Sequence, residues 1–88
     1  MSQIITAPDL TTLPLSQLAR MIHEDWANVN FGAEPYLEAL FALDSIDDLY
    51  GCESGRMIVA YFLSNASGWR GHVAKAVKAE LNRRIARR

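Results

Sequence analysis

Ser54-Gly55-Arg56-Met57-Ile58-Val59-Ala60-Tyr61-Phe62-Leu63 is the stretch on which the fold turns. The apolar run from Met57 to Leu63 suits either a helix surrounded by protein or a buried strand, because a run this short has no resolvable period. A strand would need a partner for its backbone groups, and no second run with β-branched alternation is present to pair with it. The stretch therefore reads as a helix. Ser54 supplies a cap for its first N–H groups, and apolar residues on every side mark it as the central element.

Toward the N-terminus, Ser45-Ile46-Asp47-Asp48 offers a hydroxyl and carboxylates suited to a helix start, and Gly51 offers a stop, so a one-turn helix is expected there. Pro35 is tolerable in a first turn, and Tyr36, Leu37, Leu40, Phe41 and Leu43 form an apolar stripe, which predicts a helix over residues 34–43. Asn28, Asn30 and Gly32 interrupt the pattern and predict a loop carrying Phe31, with Phe31 mostly buried and Asn28, Asn30 or Arg70 exposed. Leu15, Leu18, Ile22, Trp26 and Val29 recur at three or four and predict a helix over residues 14–28 with Pro14 in its first turn. Residues 1–13 show no sustained period and read as a flexible arm.

Toward the C-terminus, residues 64–71 hold two glycines and a possible Ser67 cap, after which Val73, Ala74, Val77, Leu81 and Ile85 trace one face of a fourth helix with a basic outer side. The expected architecture is all-α: a compact bundle of four main helices plus a short helical turn, without a sheet, forming one domain over residues 14–88. The expected core is Leu18, Ile22, Trp26, Leu37, Leu40, Phe41, Ile58, Tyr61, Phe62, Val73, Val77 and Leu81.

With 88 residues, 50% of them hydrophobic and 22% charged, the chain has globular composition and room for a single domain. Its longest apolar run is far shorter than the ~20 residues that span a bilayer, and its start lacks the pattern of a signal peptide, so the expectation is a cytoplasmic protein without a membrane partner. The net charge of −1 conceals a polarity. Residues 1–69 hold Arg20 and Arg56 against nine acids, 2 − 9 = −7, whereas residues 70–88 hold seven bases against Glu80 alone, 7 − 1 = +6.

No constellation for chemistry emerges. Cys52 is the single cysteine, which removes disulfides, zinc clusters and CxxC pairs, and His23 and His72 have no second histidine or cysteine at metal-ligand spacing. Ser54, Ser64 and Ser67 lack a GxSxG setting, and no Gly-rich phosphate loop or dinucleotide fingerprint is present. Glu24/Asp25 and Asp47/Asp48 are sequence neighbours that diverge on a helix and read as solvated surface. The expectation is a non-enzyme without metal or cofactor; a deep pocket gathering His23, Glu24 or Arg70 would revive an enzyme.

Two strings, WANVNFGAEPYLEALFALDSIDDLYG and YFLSNASGWRGHVAKAVKAEL, resemble a family of small uncharacterised proteins encoded by phages and prophages of Gram-positive bacteria, the likeness covering roughly residues 14–85. The resemblance implies a mobile-element context and brings no activity and no functional residues with it.

Two functional expectations follow. The first is a protein-interaction module, an adaptor or a homo-oligomer, with Asn28, Asn30, Trp69 and Arg70 as its partner surface, since aromatic and hydrogen-bonding groups at helix ends are common in binding hot spots. The alternative is nucleic-acid binding through the fourth helix, with Lys75, Lys78, Arg83, Arg84, Arg87 and Arg88 contacting phosphates. The acidic body and the absence of a helix-turn-helix pattern count against the alternative, as does the ordinary preference for cations near a helix C-terminus.

Overall fold

Ser54 does cap the deciding helix: its Oγ accepts from the Met57 N–H at 3.2 Å, and the helix runs Gly55–Ser64. A computed structural model describes residues 9–86 of the protein. Its elements are a 3-10 turn at Leu10–Thr12, α1 (Leu15–Asp25), α2 (Glu34–Leu40), β1 (Leu49–Tyr50), β2 (Glu53–Ser54), α3 (Gly55–Ser64) and α4 (His72–Ala86). Helices α1 and α3 each pack against α2 and α4, and β2 leans on the start of α3. The chain is mostly helical, as the periodicity implies.

The expected absence of a sheet is corrected. Between α2 and α3 the chain forms a two-stranded antiparallel hairpin, with Leu49 opposite Ser54 and Tyr50 opposite Glu53, in place of the one-turn helix. The reason is local. The Asp48 carboxylate accepts from the N–H groups of both Asp44 and Ser45, at 2.9 and 3.1 Å, closing a turn that hands the chain on in an extended direction. Gly51 (φ +64°) then takes the first position of a two-residue hairpin loop, where left-handed backbone is required, so the residue read as a helix stop is a hairpin turn. A Cβ on the buried Gly55 would come within 2.6 Å of the Ser45 carbonyl oxygen, which lets α3 start directly against this turn.

Helix boundaries shift for identifiable reasons. α1 begins after Pro14, whose extended backbone (ψ 160°) makes it the cap, and ends at Asp25 because Trp26 turns extended (φ −95°, ψ 95°). α2 stops at Leu40, and Ala42 and Leu43 continue with tighter bonds to Ala39 and Leu40. α4 starts after Gly71 (φ +111°), whose carbonyl accepts from Lys75 N, so Gly71 and not Ser67 precedes the helix. Asp9 to Leu13, the last five residues of the expected arm, are folded: Asp9 caps the 3-10 turn, and Leu10 and Leu13 pack on the core. Residues 1–8 lie outside the described residues.

The core contains Leu15, Leu18, Ile22, Leu37, Leu40, Leu43, Ile58, Val59, Phe62, Trp69, Val77 and Leu81 among its buried side chains. Three expected core residues depart from it. Phe41 is 41% exposed and Tyr61 38%, while Val73 is only partly buried. α3 is covered by α2, α4 and the hairpin but not on its remaining side, which leaves Met57 and Tyr61 toward solvent despite the uniformly apolar sequence.

Candidate protein interface

A knot of three aromatic rings sets the geometry of the loop that follows α1. Trp26 stacks on Trp69 at 5.8 Å between centroids and 11° between planes, and Phe62 meets both edge-on at 6.2 and 6.5 Å. Trp69 is 2% exposed; its Nε1 donates to Asp25 Oδ2 at 2.8 Å, and its carbonyl oxygen accepts from Lys78 Nζ at 2.6 Å. The knot joins the end of α1 to the turn before α4, with Trp26 in extended backbone as it stacks on Trp69. The loop is then fixed at its far end by Asn30, whose Oδ1 accepts from Ala33 N at 2.8 Å and whose Nδ2 donates to the Asn65 carbonyl at 3.0 Å.

With both loop ends held, the end of α1 and the loop that follows it face α2 across an open cleft of about 730 Å³. His23, Trp26, Asn28 and Val29 form one wall, and Glu34, Leu37, Glu38 and Phe41 the other. Leu37 is buried, whereas Glu34, Glu38 and Phe41 face outward on one stripe of α2. His23 meets Phe41 edge-on at 6.0 Å across the cleft. Neither glutamate has a hydrogen-bonded or ion-paired partner among the described residues. The cleft offers an apolar floor, an accessible aromatic ring and two carboxylates on its rim.

The expected partner surface divides. Asn28 is exposed and lines the cleft; Arg70 is exposed but belongs elsewhere; Asn30 is exposed, yet both ends of its amide are engaged in holding the loop. Trp69 is a core residue and presents nothing to a partner. Phe31, expected to be buried, is 91% exposed in the same loop, because Asn30 and Ala33 turn the chain outward there. Of the residues whose convergence would mark a catalytic pocket, His23 lines the cleft, Glu24 lines a separate shallow depression with Met21, Asp25 and Val73, and Arg70 joins neither. Among the described residues no group of three or more His, Cys, Asp or Glu is placed to hold a metal ion, and no helix is long and apolar enough to cross a membrane.

The basic face of α4 is largely turned to internal use. Glu80, 6% exposed, receives Arg83 through Nε and Nη2 at 2.9 and 2.6 Å and Arg84 through Nε at 2.6 Å. The Arg83 hydrogen bonds, with help from Arg84 and against the effect of burial, push the Glu80 carboxyl down to about 2. Arg84 also donates to the Leu10 carbonyl at 2.6 Å, tying the 3-10 turn to α4, and Arg56 donates to the Ile85 carbonyl from α3. Lys78 holds the Trp69 carbonyl, and its ammonium lies 5.9 Å from that indole ring. Of the residues expected to meet phosphate, Lys75 is exposed without such a commitment, and Arg87 and Arg88 lie outside the described residues.

Of the cleft residues, His23 was expected only in a catalytic pocket and Phe41 only in the core, and Glu34 and Glu38 were not singled out. The helical wheel is ambiguous here: at roughly 100° per residue, Phe41 falls about 20° from Glu34, about 40° from the buried Leu37 and about 60° from Glu38, on the boundary between the apolar and polar sides. No protein-family model, curated protein or solved structure matches this chain.

Proposed function

We propose that the protein is a non-enzymatic protein-interaction module, an adaptor that docks a partner in the cleft between α1 and α2. The observation that carries this reading is Phe41: a large apolar ring, 41% exposed, standing on the wall of a roughly 730 Å³ cleft beside the buried Leu37 and Trp26. Accessible aromatic rings over a packed floor, edged by polar groups, are the usual anchors of protein interfaces. A cytoplasmic setting and the phage or prophage context implied by the resemblance belong to the same proposal, and the gene's neighbours test the latter.

The decisive experiment places a photo-crosslinking amino acid at position 28, in the cleft wall, and separately at position 47, in the turn before the hairpin. Discrete adducts in cells from position 28 alone support the reading. Equal adducts from both positions, or none from either, overturn it. Nucleic-acid binding through α4 has less support, because Arg83 and Arg84 are bound to Glu80 and Lys78 to the Trp69 carbonyl.

A further inference from the structure

Glu38 stands where helix physics disfavours it. In the last turn of α2 a carboxylate faces the negative end of the helix dipole, and Glu34 one turn earlier places a like charge on the same face. No cation among the described residues relieves the pair, although elsewhere in the molecule Glu80 gathers two arginines. Between them the apolar part of the cleft lies open, with Phe41 and Leu37 on the same wall. A group kept against local preference at the rim of an apolar groove is best accounted for by what it meets there.

Resting on the reading of the cleft as the docking surface, we infer that its occupant is a cationic amphipathic segment of another protein. The segment would set one large apolar side chain against Phe41 and Leu37 and lysine or arginine one helical turn apart, about 5–6 Å, opposite Glu34 and Glu38. Aromatic rings reinforce the preference, since the face of Phe41 attracts a cation as the carboxylates do. The chain's own α4 is a poorer occupant: Arg83 and Arg84 are held by Glu80 and Lys78 by the Trp69 carbonyl, which leaves Lys75 uncommitted among its described lysines and arginines.

The test uses the intact protein labelled with nitrogen-15 and an 18-residue leucine–lysine amphipathic peptide, beside a leucine–glutamine peptide with the same apolar pattern. The lysine peptide is expected to shift the amides of His23, Asn28, Leu37, Glu38 and Phe41, with affinity that falls as salt rises. The double variant Glu34→Gln/Glu38→Gln should weaken it about tenfold, the effect of two rim charge pairs, whereas Asp44→Asn/Asp47→Asn, which removes two exposed acids outside the cleft, should leave it unchanged. Equal binding of the glutamine peptide at the same amides would overturn the cationic occupant while keeping the cleft as a docking site. Shifts outside the cleft, or equal sensitivity to the Asp44/Asp47 variant, would reduce the binding to general attraction and overturn the inference, leaving the crosslinking from position 28 to judge the cleft separately. If the protein alone shifts these amides as its concentration rises, with light scattering reaching dimer mass, a second copy fills the cleft and the foreign partner is wrong.

Discussion

The aromatic knot and the cleft, both at the C-terminal end of α1, use the same residue types differently. At the knot, Trp26, Phe62 and Trp69 lie beside Asp25 and Lys78, and every polar atom named there has a partner. In the cleft, Phe41 lies beside Glu34, Glu38 and His23, and the carboxylates have none among the described residues. Aromatic rings among charged groups thus make a closed joint in one place and an open surface in the other. What separates them is whether the fold brings a third element over the ring: α4 reaches the knot through Lys78, and no element among the described residues covers the cleft.

The largest effect should come from the closed joint. Phe62 is fully buried and touches both indoles edge-on, so Phe62→Ala removes a ring from packing that cannot collapse around the gap. The cost should be about 3–5 kcal/mol, comparable to the whole stability of a domain this size. Circular dichroism should find the variant largely unfolded; a cooperative transition within a degree or two of the parent would show that the knot does not hold the molecule together.

Glu80→Gln should cost less, about 2 kcal/mol, because it weakens charge-assisted bonds without opening a cavity. Its pH dependence is specific. A carboxyl held down from 4.5 to about 2 contributes its full stability above the ordinary carboxyl range and loses it as pH falls toward 2. Urea titrations at descending pH should therefore show the parent and the variant converging across that window. Asp9, lowered by its hydrogen bonds from Thr11, titrates in both proteins, but the Glu80 charge that raises it is missing from the variant, so it cancels from the difference only in part. A constant gap down to pH 2 would mean that Glu80 stabilises α4 by something other than its negative charge toward Arg83 and Arg84.

These two variants act on features of different legibility. The helical character of α3 and its Ser54 cap could be read from the chain because a cap and the run it precedes are contiguous. Phe62 could be placed in the core because it lies deep within that run. The partners of Glu80 were visible only as a basic stretch, since i,i+3 and i,i+4 spacing cannot say whether the arginines grip an acid or face solvent. The hairpin was hidden because strands of two residues have no period, and Gly51 serves a helix stop and a hairpin turn equally well. The cleft was hidden for a longer-range reason: it exists because Trp26 leaves helical geometry to stack on Trp69, a contact no local pattern encodes. Phe41 falls between the buried Leu37 and the exposed Glu34 on the helical wheel, so its place outside the core could not be read from the stripe alone.

On the open side, Phe41→Ala should cost about 1 kcal/mol, since the ring is only partly removed from water and its edge contact is with the exposed His23. Binding in the cleft should suffer more than folding does. Urea denaturation beside a peptide titration separates the two, and a loss of several kcal/mol in stability would place Phe41 with the knot rather than opposite it.

Glu38→Lys gives the smallest effect and the opposite sign. The substitution removes the repulsion from Glu34, replaces it with an i,i+4 pair in the favourable order, and sets a cation at the negative end of α2. Glu38 is exposed and has no hydrogen bond to lose among the described residues, so no burial term opposes the gain. Each contribution is a few tenths of a kcal/mol at the surface, and together they should stabilise the protein by about 0.5 kcal/mol, less at high salt. The same change sets a positive charge on the cleft rim and should drive off a cationic segment. More stable folding with weaker binding is the pattern of a residue retained for contact at a cost to stability. A variant that is both less stable and unchanged in binding would show that Glu38 has a structural role, and that the contrast between a closed joint and an open surface has been drawn in the wrong place.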